Sequence, residues 1–196
     1  MTAAGEPAPT PEDVLGFWFG PAPWAERAEW FRKDPAFDDT IRSRFGTLVE
    51  RALAGPLGWD RDPRGTLAEL IVLDQFPRNL FRGDARAFAG DARARTLAAA
   101  LVDRGLDQAL PPHGRWFAYL PFEHAEDLAL QDRSVALFQR LRHDAPEAAG
   151  PTVLDYAQRH HDVIQRFGRF PHRNAALGRE STADEAAYLA TPGSGF

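Results

Sequence analysis

Apolar residues recur at every third or fourth position along most of this chain, which is the spacing of a buried helix face. Proline and glycine separate the periodic segments, and no segment alternates with the two-residue period of a strand. The pattern therefore predicts an all-α fold, a single array of about seven to nine helices joined by short loops. We expect a disordered tail over residues 1–9 and one helical domain over residues 10–196.

Polar residues interrupt the apolar stripes of three predicted helices. Asp74 continues a stripe that contains Leu67, Leu70 and Ile71, and His160 lies in the middle of the stripe of another helix. Burying an ionised group without a partner is costly. We therefore expect both groups to find polar partners inside the fold.

The third helix, predicted over residues 121–142, carries the densest polar group. His124 and Gln131 lie on its apolar stripe, and Asp127 shares or borders that face at spacings of three and four residues. The acidic side chains in the first turn of this helix are expected to face solvent; they are Glu123 and Glu126.

A short motif occurs twice at the ends of predicted helices. Phe-Pro-Arg-Asn covers residues 76–79, and Phe-Pro-His-Arg-Asn covers residues 170–174. Each copy is followed by a further arginine, and the planar guanidinium group matches a carboxylate or phosphate with two parallel hydrogen bonds. We predict one polar cluster where these helices meet. The candidate binding residues are Asp74, Arg78, Arg82, Gln131, Arg166, Arg169, His172, Arg173 and Arg179.

Composition removes several classes of function. The net charge of -5 argues against general nucleic-acid binding, which needs a basic field. The absence of cysteine excludes disulfides and thiol nucleophiles, and no apolar run is long enough to span a membrane. We expect a cytoplasmic protein, and the oligomeric state stays open.

Three functions are compatible with the predicted cluster. The first is a binding module that holds a small anion or an acidic peptide, because the arginines around residues 166–179 outnumber the acids near them in sequence. The second is a hydrolase-type enzyme in which His124 or His160 is the general base and Asp127 is an adjacent carboxylate. The third is an interaction scaffold whose buried ion network is purely structural. The histidine spacing matches no tight metal motif and the arginines would repel a cation, so we expect no metal and no cofactor.

Several segments resemble a mainly bacterial family known as domain of unknown function 924. The resemblance extends over nearly the whole chain and is most specific over residues 74–79 and 166–174. It implies an all-helical fold related to tetratricopeptide repeats, and it implies no activity. Ala125 stands where the family pattern commonly has a serine, which argues against a role for a hydroxyl at this position.

Overall fold

The computed structural model describes residues 7–194, and every regular element in that range is helical. The predicted all-α fold is therefore confirmed. The tail predicted over residues 1–9 falls largely outside the described residues, and the proposed single domain stays a prediction. The α-helices are α1 (Pro11–Phe19), α2 (Pro35–Ala54), α3 (Pro63–Leu70), α4 (Phe76–Leu80), α5 (Asp91–Asp103), α6 (Pro112–Glu123), α7 (Leu128–Asp144), α8 (Pro151–Phe167) and α9 (Ala183–Leu189). Short 3₁₀ turns lie at Ala28–Trp30, Ala85–Phe88, Leu106–Ala109 and Pro171–Arg173.

Side-chain caps explain where several of these helices begin. Thr10 and Thr182 form capping boxes with Asp13 and Glu185; the sequence pattern indicates a helix start at Thr10 and a capping box at Thr182. Helix α3 begins after Asp62, and not at the alternative cap residue Thr66, because Asp62 accepts hydrogen bonds from the amides of residues 64 and 65.

The helix predicted over residues 121–142 is two helices. α6 ends at Glu123, and α7 begins after Asp127, whose side chain accepts a hydrogen bond from the Leu130 amide. The break is stabilised by Gln131, whose Nε2 donates to the carbonyls of Glu123 and Ala125 at 2.7 Å each. The prediction failed because a cap and a buried amide side chain end α6 without any glycine at the break.

A π turn joins α3 to α4 and is packed closely against the start of α5. It covers Ile71–Gln75 within an otherwise continuous helical run. A Cβ atom on Gly90 would lie 2.1 Å from the carbonyl oxygen of Leu73, so only glycine permits this approach. The contact brings Asp91, the first residue of α5, next to the π turn.

The apolar core divides into two clusters. The larger one packs α1, α2, α3 and α6 around aromatic side chains such as Trp18 and Phe76. The smaller one contains Val163, Ile164 and Phe170. None of the helices within residues 7–194 is both long enough and apolar enough to cross a membrane.

Candidate functional site

Asp74 is the centre of a buried polar cluster. It lies in the π turn with 1% of its surface exposed, and it accepts hydrogen bonds from Gln75 Nε2 at 2.6 Å and His124 Nδ1 at 2.8 Å. Arg78 Nη1 lies 3.2 Å from the same Asp74 oxygen that His124 contacts. Burial alone would raise the pKa of Asp74, but the charge of Arg78 and the interaction with His124 hold that pKa well below its usual range. Asp74 is therefore an ionised, buried acceptor.

His124 is oriented by this carboxylate. It occupies the C-cap of α6, so the break between α6 and α7 determines where its ring points. Burial and the charge of Arg78 lower the pKa of His124 more than Asp74 raises it. A neutral ring that donates from Nδ1 to Asp74 keeps the lone pair of Nε2 available to a ligand.

The arginines of the two repeated motifs meet at one carboxylate. Arg78 donates to both oxygens of Asp91 at 2.9 and 3.0 Å, and Arg173 Nη1 donates to Asp91 Oδ2 at 3.2 Å. The guanidinium carbon of Arg173 lies 4.6 Å from the ring centres of both Phe88 and Phe170. Burial and the charge of Arg78 lower the pKa of Arg173 to about 10, although the charge of Asp91 acts in the opposite direction.

His160 and Glu123 lie on the other side of His124. The ring centres of His124 and His160 are 6.2 Å apart, and His160 Nδ1 lies 2.8 Å from the Tyr156 carbonyl and 3.3 Å from Glu123 Oε1. Burial, together with the charge of His124, lowers the pKa of His160 well below its usual value. Glu123 does not face solvent as predicted, because it ends α6 on the side covered by α8. Burial and the charge of Asp74 raise the pKa of Glu123 to about 8.

His172 extends the cluster toward solvent. Its ring centre lies 5.6 Å from that of Phe170, and burial and the charge of Arg173 lower the pKa of His172 to about 4. His172, Arg78 and His124 are each partly exposed, so these three side chains form the accessible side of the cluster.

The other candidate arginines have different surroundings. Each of Arg82, Arg169 and Arg179 donates two hydrogen bonds to an internal carboxylate. Arg166 is exposed and lies over the ring of Phe167. The acids that pair with Arg82, Arg169 and Arg179 are distant from them in sequence, so these arginines had no obvious acidic partner in the sequence. The paired acids are Asp38, Glu185 and Glu126.

Two further candidates have roles at the helix break. Asp127 is exposed and caps α7, so it is not the carboxylate that orients either histidine. Gln131 is fully buried and its amide group holds the end of α6. The structure gives the orienting role to Asp74 in place of Asp127.

The chain matches the model of a family described as bacterial proteins of unknown function, DUF924, over residues 14–193. The chain belongs to this family. A solved structure of a protein of unknown function from Agrobacterium tumefaciens is 42% identical in sequence, with a TM-score of 0.79. That similarity covers 92% of this chain and 96% of the other. No curated protein matches the chain significantly. The family resemblance is confirmed, and its tetratricopeptide-like arrangement stays a prediction.

Two acids of the cluster, Asp91 and Glu123, are not among the candidate site residues predicted from the sequence. Gly90 was a usable signal for Asp91, since a glycine just before a helix can mark a close backbone approach. Glu123 had no comparable signal, because its burial depends on where α8 packs.

Two surface cavities lie elsewhere in the molecule. A cavity of about 610 Å³ is lined by residues near the end of α1, including Phe17 and Arg27. A second cavity of about 420 Å³ adjoins it near Trp24 and His113. Both linings mix apolar residues with a few charged side chains, and neither contains a residue of the buried cluster. We place the candidate site at the cluster, where the polar chemistry converges.

Proposed function

We propose that this protein is a binding module that holds a small anion, or the acidic end of a peptide, against Arg173, Arg78 and His124. One observation carries the proposal. Arg173 is 6% exposed, yet among the described residues its side chain has one hydrogen bond, to Asp91, and its Nε has no partner. A buried guanidinium group normally satisfies several of its five N–H groups.

A count of charges alone would not show that Arg173 lacks hydrogen-bond acceptors. Two arginines face two aspartates in the inner cluster, but Asp74 and Asp91 both bond to Arg78. Arg173 shares only the second of these acids. An external anion would supply the acceptors that Arg173 lacks, and a carboxylate or phosphate group has the matching geometry.

The partly exposed side chains define what could reach Arg173. His124 and His172 lie on the accessible side, and the flat ring of Phe88 covers one face of the guanidinium group. This combination favours binding of a compact anionic group over binding of a large partner surface. The proposal retains the cytoplasmic location and the tetratricopeptide-like arrangement expected from sequence.

The test is isothermal titration calorimetry with inorganic phosphate, sulfate and a short peptide that ends in a free carboxylate. We expect at least one of these probes to bind the wild-type chain and to bind Arg173→Met at least tenfold more weakly. Arg82→Met is the matched control, because Arg82 belongs to the first motif region but pairs with Asp38. Equal affinity in both variants, or no binding of any probe, would overturn the proposal and leave a structural ion network.

A second candidate function is acid–base catalysis, and the contact between Asp74 and His124 favours it. A carboxylate that accepts from Nδ1 of a neutral histidine leaves Nε2 positioned to take a proton from a substrate or water. The test is hydrolysis of nitrophenyl phosphate and carboxylate esters. Turnover that His124→Gln abolishes and His161→Gln retains would support catalysis, and absence of turnover would count against it.

A further inference from the structure

A compact group of potential metal ligands lies at the buried end of the cluster. One ligating atom from each of Glu123, His124 and His160 lies within 4.8 Å of the other two. Two imidazoles and one carboxylate form the donor set of three-ligand zinc sites and of related divalent transition-metal sites. Because His124 is the C-cap of α6 and His160 lies in α8, the group forms only when these helices pack together.

The Nδ1 atoms of both rings have the partners that metal-bound histidines usually have, although His160 Nδ1 also lies 3.3 Å from Glu123 Oε1. His124 Nδ1 lies 2.8 Å from the carboxylate of Asp74, and His160 Nδ1 lies 2.8 Å from the carbonyl of Tyr156. A proton held on Nδ1 by an acceptor leaves Nε2 as the basic nitrogen, and carboxylate or carbonyl partners of this kind orient metal-binding histidines.

Glu123 has no arginine or lysine partner among the described residues. It is 4% exposed, and its one ion-pair contact within residues 7–194 is with His160, not with an arginine. A carboxylate buried next to two imidazoles would gain a strong partner from a divalent cation.

The nearby arginines do not prevent this arrangement. Arg78 is held between Asp74 and Asp91, and Arg173 is bonded to Asp91, so carboxylates offset part of the positive charge next to the histidines. Our expectation from sequence that arginines would repel a metal did not include Asp91 or the burial of Glu123.

We infer that Glu123, His124 and His160 bind one divalent transition-metal ion, with Asp74 as the positioning residue for His124. Three protein ligands would leave at least one coordination position open. The inference uses different contacts from those behind the anion proposal and does not depend on it.

The experiment uses the full chain after treatment with a chelator, with Zn²⁺ and Co²⁺ as the probes. We expect one equivalent of Co²⁺ to give the intense visible absorption of a four- or five-coordinate site, and Zn²⁺ to displace it. Glu123→Gln and His160→Asn should each weaken binding more than about 100-fold, and Asp74→Asn should weaken it about 10–100-fold.

Two controls keep the result interpretable. His161→Asn changes the neighbouring surface histidine, which contacts Asp132 and Asp162, and it should retain full binding if the buried site is correct. X-ray absorption of the zinc-loaded wild-type chain should show two imidazole ligands, a readout that needs no variant to fold. Absence of stoichiometric binding, or loss of binding in His161→Asn alone, would overturn the metal site. Metal binding without anion binding would contradict only the proposed function.

Discussion

The two copies of the Phe-Pro-Arg-Asn motif have similar sequences and different structures. In the first copy, Phe76 to Asn79 continue a helix after the π turn, and Arg78 bonds to both Asp74 and Asp91. In the second copy the chain forms a 3₁₀ turn, and the Arg173 side chain lies between two aromatic rings with Asp91 as its one hydrogen-bond partner within residues 7–194. The same residue type thus has a saturated environment in one copy and an incomplete one in the other.

This difference shows that the tertiary environment of an arginine, and not the motif around it, decides how many hydrogen-bond partners it has. Arg78 has four close contacts with oxygen atoms, since it also donates to the Asp74 carbonyl. Arg173 has a buried Nε with no partner among the described residues. Both arginines bond to the carboxylate of Asp91, so substitutions at these three residues can measure how much each copy contributes to stability.

The largest effect should come from removing that shared carboxylate. We expect Asp91→Asn to lower the free energy of unfolding by about 3–5 kcal/mol, because it leaves a buried guanidinium group without its acid. Urea denaturation followed by circular dichroism measures this. Asp103→Asn, which affects an exposed pair with Arg133, should cost about 0–1 kcal/mol. Equal losses in the two variants would mean that Asp91 is not the centre of the network.

The two arginines should differ in their contribution to stability. We expect Arg78→Met to cost about 3–5 kcal/mol, because Asp74 and Asp91 both lose a partner. Arg173→Met should cost only about 1–3 kcal/mol, because Asp91 keeps its two hydrogen bonds to Arg78. The same denaturation experiment compares them. A larger loss for Arg173→Met would reverse the comparison and identify Arg173 as structural.

The asparagines of the two motifs should also differ in their contribution to stability, by less than the arginines do. Here the residue of the second motif should contribute more. Asn174 donates to Ser181 and Glu185 and accepts from Arg179, whereas Asn79 donates to Asp38 alone among the contacts described. We expect losses of about 2–3 kcal/mol for Asn174→Ala and about 1–2 kcal/mol for Asn79→Ala. Thermal unfolding of the two variants side by side gives the order, and equal melting temperatures would contradict it.

The smallest effect concerns acid stability around the second motif. Hydrogen bonds from Arg169 and from the Thr182 amide lower the pKa of Glu185 to about 2 from its usual value near 4.5. A lowered pKa stabilises the fold above about pH 4.5, and this stabilisation is lost as the pH falls toward 2. The difference in melting temperature between wild type and Glu185→Gln should therefore narrow over that range. A difference that stays constant down to pH 2 would show that Glu185 does not titrate with folding.

The sequence was sufficient for much of the fold and for part of the site. Caps such as Thr10 and Thr182 act within one helical turn, so their effect can be predicted from neighbouring residues. The break between α6 and α7 was missed because Gln131 ends α6 through carbonyls six to eight residues earlier. Asp127 was chosen as the orienting acid because it is near His124 in sequence, whereas Asp74 is 50 residues away.

The sequence by itself determined that this protein is helical, and that Asp74, His124 and His160 lie on buried faces and need polar partners. Helical periodicity and the cost of burying a charge are local properties of the chain, so no knowledge of the fold is required to apply them. Only the tertiary structure decided the partners. Arg173 and Asp91 are 82 residues apart, and they meet because Gly90 lets α5 approach the π turn. Hydrogen bonds depend on distances of a few ångströms between separate elements, and the packing of those elements is what sets these distances.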